Sequence, residues 1–437
     1  MSGRHAIASA TLSPGQPFVT VSGRRGTVGA LLGSGGQGEV YHVMVDGLPF
    51  ALKWYHRHYV EIDRELRKRL DRAINRGAPT SDFLWPFDLV EVPGSGSFGY
   101  FMALRSDRFV GMQALIAAPP RRLELPLARR IEVCLQLANS FLELHASGFC
   151  YQDINFGNIF LDPADGRILI CDNDNVNVDG AEASIYGTRK FMAPEVVRRE
   201  ALPDSRTDLF SMAVLFFYTL FGWHPLDGKR EYAVQLMDAD AEMRLYGTEA
   251  RFLFDPADDS NGPVPGYHDP IAARWNSLPT RLRALFERAF GAGLHDPSAR
   301  VLETEWRVAL RAAAEAVYAC EGCGFEHVAE LRGASVLVAP VCVSCGGKME
   351  APRFLVLDRK PVALTPGRRI AEAGVERHPE RHDIMGLRNT GDAPWRATLP
   401  EGSAQLVAPG QTLRIVTGTR IEFAQCTGVV AEAEARR

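Results

Sequence analysis

The stretch from Tyr151 to Asp174 restricts this chain more than any other. It reads Tyr151-Gln152-Asp153-Ile154-Asn155-Phe156-Gly157-Asn158, then an apolar run Ile168-Leu169-Ile170-Cys171 expected to form a strand, then Asp172-Asn173-Asp174. An Asp-x4-Asn pair by itself is a common turn. Set before a strand that ends in aspartate, and after a glycine-rich hairpin and a strand lysine, it is rarely accidental.

The hairpin is Gly33-Ser34-Gly35-Gly36-Gln37-Gly38-Glu39-Val40, between strands predicted at 27–32 and 40–45. A dinucleotide fingerprint needs a helix directly after the glycines, whereas a G-x-G-x-x-G-x-V hairpin folds over nucleotide phosphates by close backbone approach. Thirteen residues beyond Val40, Phe50-Ala51-Leu52-Lys53 sets a cation in a strand, where burial demands an anionic partner. The α- and β-phosphates of a nucleotide supply one. A helix predicted over 60–75 carries Ile62, Leu66, Leu70, Ala73 and Ile74 at spacings of three and four and offers a carboxylate to the lysine. Glu65 borders that apolar stripe, Glu61 points further toward solvent, and Glu65 is preferred. Phosphoryl transfer needs a carboxylate near the acceptor hydroxyl and oxygen ligands for Mg²⁺. Asp153 suits the first role; Asn158 and Asp172 suit the second.

Composition bounds the rest. At 437 residues the chain is about three times a ~150-residue domain, so two or three domains are expected. A hydrophobic fraction of 46% and a charged fraction of 23% exclude disorder, collagen and coiled coil. The 49 basic and 53 acidic residues leave a net charge of −4, which offers no field to draw nucleic acid or an anionic membrane. Residues 1–20 lack the apolar core of a signal peptide, and the longest apolar run, 212–221, is too short for a bilayer of roughly 30 Å. A cytoplasmic protein is expected, with neither nucleic acid nor membrane as partner.

Hydrophobic periodicity divides the chain into β-rich and helical parts. Strands are predicted at 27–32, 40–45, 50–54, 84–92 and 100–104, and helices at 131–147, 207–221, 279–290 and 303–318. Residues 225–269, rich in Asp, Gly and Pro, read as an insert with one short helix at 232–242. Beyond residue 353, short β-type runs at 354–357, 405–407, 412–416 and 420–423 are separated by turn dipeptides.

The sequence resembles the eukaryotic-type (Hanks-type) Ser/Thr protein kinases of bacteria over residues 20–318. The most specific match is Gly187-Thr188-Arg189-Lys190-Phe191-Met192-Ala193-Pro194-Glu195, similar to the end of a protein-kinase activation segment, which small-molecule kinases lack. The resemblance implies a two-lobed α+β kinase fold, with an N-lobe at 20–105 and a C-lobe at 106–318, that uses ATP and Mg²⁺ on a protein substrate. It places Lys53, Asp153, Asn158 and Asp172 in the catalytic set with Glu65, and Gly33, Gly35, Gly38, Val40, Ala51, Met102 and Leu104 around the nucleotide. Asp208 becomes the buried brace of the catalytic loop, Arg300 the partner of Glu195, and Thr188 a contact of Asp153 that favours a Ser/Thr substrate. Three positions depart from the family. Tyr151-Gln152 replaces His-Arg, so switching by loop phosphorylation is not expected. Asn155 replaces a lysine that meets the γ-phosphate, a loss for which Arg189 is the available substitute. Asp172-Asn173-Asp174 replaces Asp-Phe-Gly, with Asp172 preferred over Asp174 as metal ligand because it ends the strand. A nucleotide-binding pseudokinase scaffold is the rival, and a small-molecule phosphotransferase a more distant one.

Cys320-x-x-Cys323 and Cys342-x-x-Cys345, eighteen residues apart, match the spacing of a four-thiolate Zn²⁺ site without an open coordination position. His327 is not needed as a ligand. A zinc ribbon at 319–350, too small to fold without metal, is expected to unfold on chelation while the kinase lobes persist. The tail at 351–437 is expected to be a small all-β sandwich; Asn389-Thr390-Gly391-Asp392-Ala393-Pro394-Trp395 is similar to later strands of forkhead-associated domains. Gly367-Arg368 matches the arginine with which such domains bind phosphothreonine, but the following positions do not, so the tail reads as a degenerate interaction module. By resemblance, a phosphatase and a von Willebrand-type domain protein are the expected partners.

Overall fold

Short strands with one buried face build the amino-terminal part. A computed structural model describes residues 11–180, 186–332, 335–349, 352–381 and 384–435; the expected boundary at 350–351 lies outside them. Strands β1 (Pro17–Thr20), β2 (Arg25–Ser34), β3 (Gly38–Val45), β4 (Leu48–Tyr55), β5 (Asp88–Glu91) and β6 (Phe98–Ala103) close into a barrel in the order β1-β2-β3-β4-β6-β5. β1 was not predicted. Its short Pro-Phe-Val-Thr run closes the barrel by pairing Pro17 with Thr27 and Val19 with Glu91, with Phe18 turned into the core. Phe18, Val28, Tyr41, Val43, Leu52, Trp54 and Phe101 fill the interior.

On the other face of the barrel, Ala51, Tyr55, Tyr100 and Met102 pack against Leu66 and Leu70. The single helix expected over 60–75 is two, α1 (Arg57–Ile62) and α2 (Leu66–Arg76). Ile62, counted in the apolar stripe, is 78% exposed, and the chain breaks at Asp63. The break has a cause: Asp63 is buried and receives both terminal nitrogens of Arg69, at 3.0 and 2.7 Å.

The chain divides into two compact units. The first takes the described residues up to Leu123 with Gln136–Leu215 and Asp238–Ala250; the second takes Glu124–Leu135, Phe216–Met237 and the chain from Arg251 onward. The first unit holds the barrel and the 151–174 stretch, where the strand Ile168–Ile170 pairs with Ile159–Leu161. Residues 229–248 form two short helices, Lys229–Tyr232 and Ala239–Met243, and a π-turn at Arg244–Thr248, in place of one helix.

The second unit is built on aromatic packing. Phe217 meets Phe252, Phe286 and Phe290 edge-to-face, and Trp275 stacks on Phe254 with ring centroids 4.7 Å apart. The helix Thr280–Phe290 matches its predicted span, whereas the one expected over 303–318 ends at Glu315, because Val317–Ala319 turn into a strand that pairs with Glu326–Val328. The tail is all-β: an eight-stranded sheet and a four-stranded sheet share a core that includes Leu355, Leu387, Trp395, Ala397, Ile421 and Val430. Asn389 is a turn anchor, its amide donating to the carbonyls of Ala393 and Val407 at 2.9 Å each. Ser335–Val338, between the two cysteine pairs, lies parallel to the last strand, Thr427–Ala435. Cysteine module and tail therefore share one sheet.

Candidate active site and cysteine cluster

Lys53 leaves β4 opposite Val40 on one side and Tyr100 on the other, which carries its side chain into a site where it is 5% exposed. A cation so buried must be paired. Its nitrogen lies 2.9 and 3.0 Å from the two oxygens of Asp174, 3.3 Å from Asp172 and 2.9 Å from the side-chain Oε1 of Gln37. Burial alone would lower the Lys53 pKa; the Asp174 and Asp172 carboxylates reverse this and hold it above its ordinary value. Asp174 is buried too, yet Lys53 and the Tyr55 hydroxyl, which donates at 2.6 Å, bring it below the usual carboxylate range. Asp172 goes the other way, because burial and the neighbouring Asp174 outweigh Lys53. The Asp172 side chain is nonetheless 43% exposed, and its backbone sits at φ 49°, a left-handed conformation rare outside glycine.

Glu65 is not part of this group. It stands at the start of α2, exposed, 2.8 Å from Lys68 and 4.0 Å from Arg72. The buried charged residue of α2 is Arg69, whose Nε reaches the Asp174 carbonyl at 3.4 Å. Gly33, Gly35 and Gly38 lie on the β2–β3 hairpin, where Gly35 N–H donates to the Gly38 carbonyl at 2.9 Å. Gly38 has no alternative, since a Cβ there would come within 2.2 Å of the Trp54 carbonyl oxygen. Val40, Ala51 and Met102 fall in one apolar cluster with Leu169, and Leu104 is at the rim, 37% exposed.

Asp153 is held from two sides. Thr188 donates its hydroxyl to Asp153 Oδ1 at 2.8 Å, and the Asn158 amide donates to Oδ2 at 3.2 Å and to the main-chain oxygen at 2.9 Å. The nitrogen of Asn158 is thereby committed to the loop, and its amide oxygen is the atom a cation would use. Asp208, 1% exposed, accepts from the main-chain N–H groups of Tyr151 at 2.5 Å and Gln152 at 2.9 Å, with His145 Nε2 at 3.1 Å. Those contacts hold Gln152 at φ 71°. Asn155 turns inward, donating to the Asp153 carbonyl at 3.1 Å and accepting from Gly157 N–H at 2.7 Å. Arg189, the expected substitute for the missing lysine, is ion-paired with Glu242 instead.

The four cysteine sulfurs lie within 4.8 Å of one another, with Cys320–Cys345 at 3.9 Å and Cys323–Cys342 at 3.7 Å. Tetrahedral Zn–S bonds of about 2.3 Å put sulfurs roughly 3.8 Å apart, whereas a disulfide needs about 2.05 Å. The donor set therefore fits zinc. Burial opposes ionisation of Cys342, but the N–H groups of Cys345 and Ser344 bring its thiol down to about 7. His327 Nε2 touches Cys342 Sγ at 3.4 Å and replaces no thiolate. The cluster is anchored to helices of its own unit: Glu326 accepts from Leu127 N–H at 2.5 Å, Arg274 donates to the Glu326 carbonyl at 2.7 Å, and Glu330 accepts from Thr280 N–H at 3.1 Å. These contacts join the module to helices of its own unit, so loss of metal is expected to reach them as well.

Arg368 is half-buried at the end of helix Glu303–Glu315, with its guanidinium 3.5 Å from the Ala314 carbonyl, and burial lowers its pKa. Phosphothreonine peptides are accordingly expected not to bind; saturable binding by calorimetry, lost in Arg368→Ala, would contradict this.

Residues 111–264 match the family model described as the protein kinase domain. Among individual proteins, the chain is 30% identical over 193 residues to CBL-interacting protein kinase 4 of Oryza sativa subsp. japonica, covering 40% of this chain and 41% of that protein. It is 25% identical over 289 residues to the protein kinase YegI of Escherichia coli K12, covering 62% and 42%. The chain thus spans about two fifths of the length of these curated relatives. The crystal structure of the Mycobacterium tuberculosis PknI kinase domain aligns with a TM-score of 0.43 at 22% identity, covering 69% of this chain and 98% of that one. Residues 111–264 are thus similar to a protein kinase domain.

Sequence reasoning missed Gln37, Tyr55 and Arg69, and it weighed Asp174 only as a metal ligand. Tyr55 and Arg69 lie among core positions, and nothing local marks them as neighbours of Lys53.

Proposed function

We propose that this protein transfers the γ-phosphoryl group of ATP to Ser or Thr of a protein substrate. The observation that carries the reading is the grouping of Asp153, braced by Thr188 and Asn158, with Lys53 and Asp172 in one unit. Three carboxylates, Asp153, Asp172 and Asp174, accompany a single lysine, a charge balance that suits a divalent cation. Asn158 and Asp172 would hold Mg²⁺, which when bound neutralises charge on the transferring phosphoryl group. Lys53 grips the α- and β-phosphates, and the glycine hairpin covers them. Val40, Ala51, Met102 and Leu104 take the adenine. Asp153 orients the substrate hydroxyl and accepts its proton.

A protein rather than a small molecule is favoured by a groove of about 500 Å³ lined by Tyr186, Met192, Val196, Met243 and Tyr246. Tyr186 and Met192 also border the recess that contains Asp153. The cysteine cluster is read as structural zinc, and the β tail as a docking module for partners such as a phosphatase and a von Willebrand-type domain protein. Among the described residues no helix is long and apolar enough to cross a membrane, and a cytoplasmic location fits the reading. The inward turn of Asn155 and the Arg189–Glu242 pair favour one second reading, a nucleotide-binding scaffold with little catalysis.

Radiolabel transfer from ATP onto protein separates the two. Asp153→Ala is expected to lower the rate by about 10²–10⁴, the range for a lost proton acceptor. Equal background from wild type and variant would sink the enzyme reading.

A further inference from the structure

A lysine that grips phosphates works only if a carboxylate fixes its position, and in protein kinases that carboxylate comes from the helix following the lysine strand. Here the helix cannot supply it. Glu65 is bound to Lys68 on the surface, and the buried charged position on α2 is Arg69, a cation already held by Asp63. The lysine's bidentate partner is Asp174, 121 residues away in sequence and fully buried. Its second oxygen also accepts from Tyr55, and its backbone carbonyl is met by Arg69.

We propose that Asp174 is the positioning residue for Lys53, replacing the helix carboxylate. Asp174 follows Asp172 by two residues, so one short segment sets both the lysine and the exposed carboxylate beside it. The placement of Lys53 then does not depend on α2 moving toward the site, and swinging that helix is not a switch in this protein. This inference rests on the phosphoryl-transfer reading for its kinetic test, but not for its binding test.

The full-length chain is compared with Asp174→Asn, Asp172→Asn, Glu65→Gln and Tyr55→Phe. The readouts are kcat, KM for ATP, the Mg²⁺ concentration at half-maximal rate, and displacement of a fluorescent ADP analogue. Asp174→Asn is expected to lower kcat about 100-fold, comparable with losing one preorganised electrostatic contact, with half-saturating Mg²⁺ within about threefold of wild type. Asp172→Asn is expected to raise half-saturating Mg²⁺ more than about tenfold, and Glu65→Gln to match wild type. Should Asp174→Asn fail to fold, Tyr55→Phe removes one support of the carboxylate, and kcat should fall several-fold with unchanged Mg²⁺ dependence.

A loss in Glu65→Gln equal to that in Asp174→Asn overturns the proposal. So does a Mg²⁺ shift in Asp174→Asn like that of Asp172→Asn, which would make Asp174 a metal ligand, or an unchanged Tyr55→Phe where Asp174→Asn does not fold. If wild type transfers no phosphate, the enzyme reading fails, and the ADP analogue decides alone. Affinity weakened about tenfold or more in Asp174→Asn but not in Glu65→Gln sustains the proposal, while equal affinities refute it.

Discussion

Removing the metal from the four-cysteine cluster is expected to unfold residues 320–349 and to lower the thermal stability of the helices that contact them. Structural zinc contributes roughly 10 kcal/mol or more to modules of this size, and the strand pairings around the exposed Cys323 and Cys345 are short: 317–319 with 326–328, 330–332 with 335–337, a single bridge between Val341 and Lys348, and 336–338 against the last strand. The effect extends beyond it because Glu326 accepts the Leu127 N–H and Arg274 both donates to the Glu326 carbonyl and lies 4.3 Å over the Phe325 ring. When the module unfolds, that N–H loses its partner and Arg274 loses its cover. Calorimetry with and without chelator, alongside metal quantification, reads this out; Cys342→Ser is the genetic equivalent. A transition unchanged after complete zinc loss would show that the cluster does not hold the fold.

Asp208→Ala is the second large effect. The substitution leaves the N–H groups of Tyr151 and Gln152 buried without an acceptor, at roughly 1–3 kcal/mol each. It also frees Gln152 from φ 71°, a conformation the loop does not keep unaided. Since Gln152 precedes Asp153, the loop relaxes and activity falls with stability, by about 10² or more if Asp153 moves by an ångström. Chemical denaturation together with phosphoryl-transfer rates checks both. A variant as stable as wild type, with an unaltered rate, would mean that the brace is dispensable.

Local patterns were legible in the sequence, and nonlocal contacts were not. The catalytic loop, the glycine hairpin and the Cys-x-x-Cys pairs each occupy fewer than about ten residues, and their side-chain chemistry is tied to spacing along the chain. The Thr188–Asp153 contact followed from a motif and is present at 2.8 Å. Glu65 was misplaced because periodicity alone extended one helix through Asp63, where a buried ion pair with Arg69 interrupts it. β1 escaped notice because its burial alternates but its side-chain polarity does not: apolar Val19 is exposed while polar Thr20 is buried beside Phe18. The tail's strands at 360–363, 373–377, 385–389 and 395–398 were not predicted either; glycine and charged residues interrupt their apolar positions, as at Gly374, Glu376, Gly386 and Arg388.

By itself the sequence determined the Asp153–Asn158 spacing, the lysine strand and a thiolate cluster spaced for zinc, because each is written in residues close together along the chain. Only the tertiary structure decided which carboxylate holds Lys53 and which helices the cysteine module supports. A buried cation selects its partner by distance in space, and Asp174 becomes a neighbour of Lys53 only when the 151–174 stretch folds against the barrel.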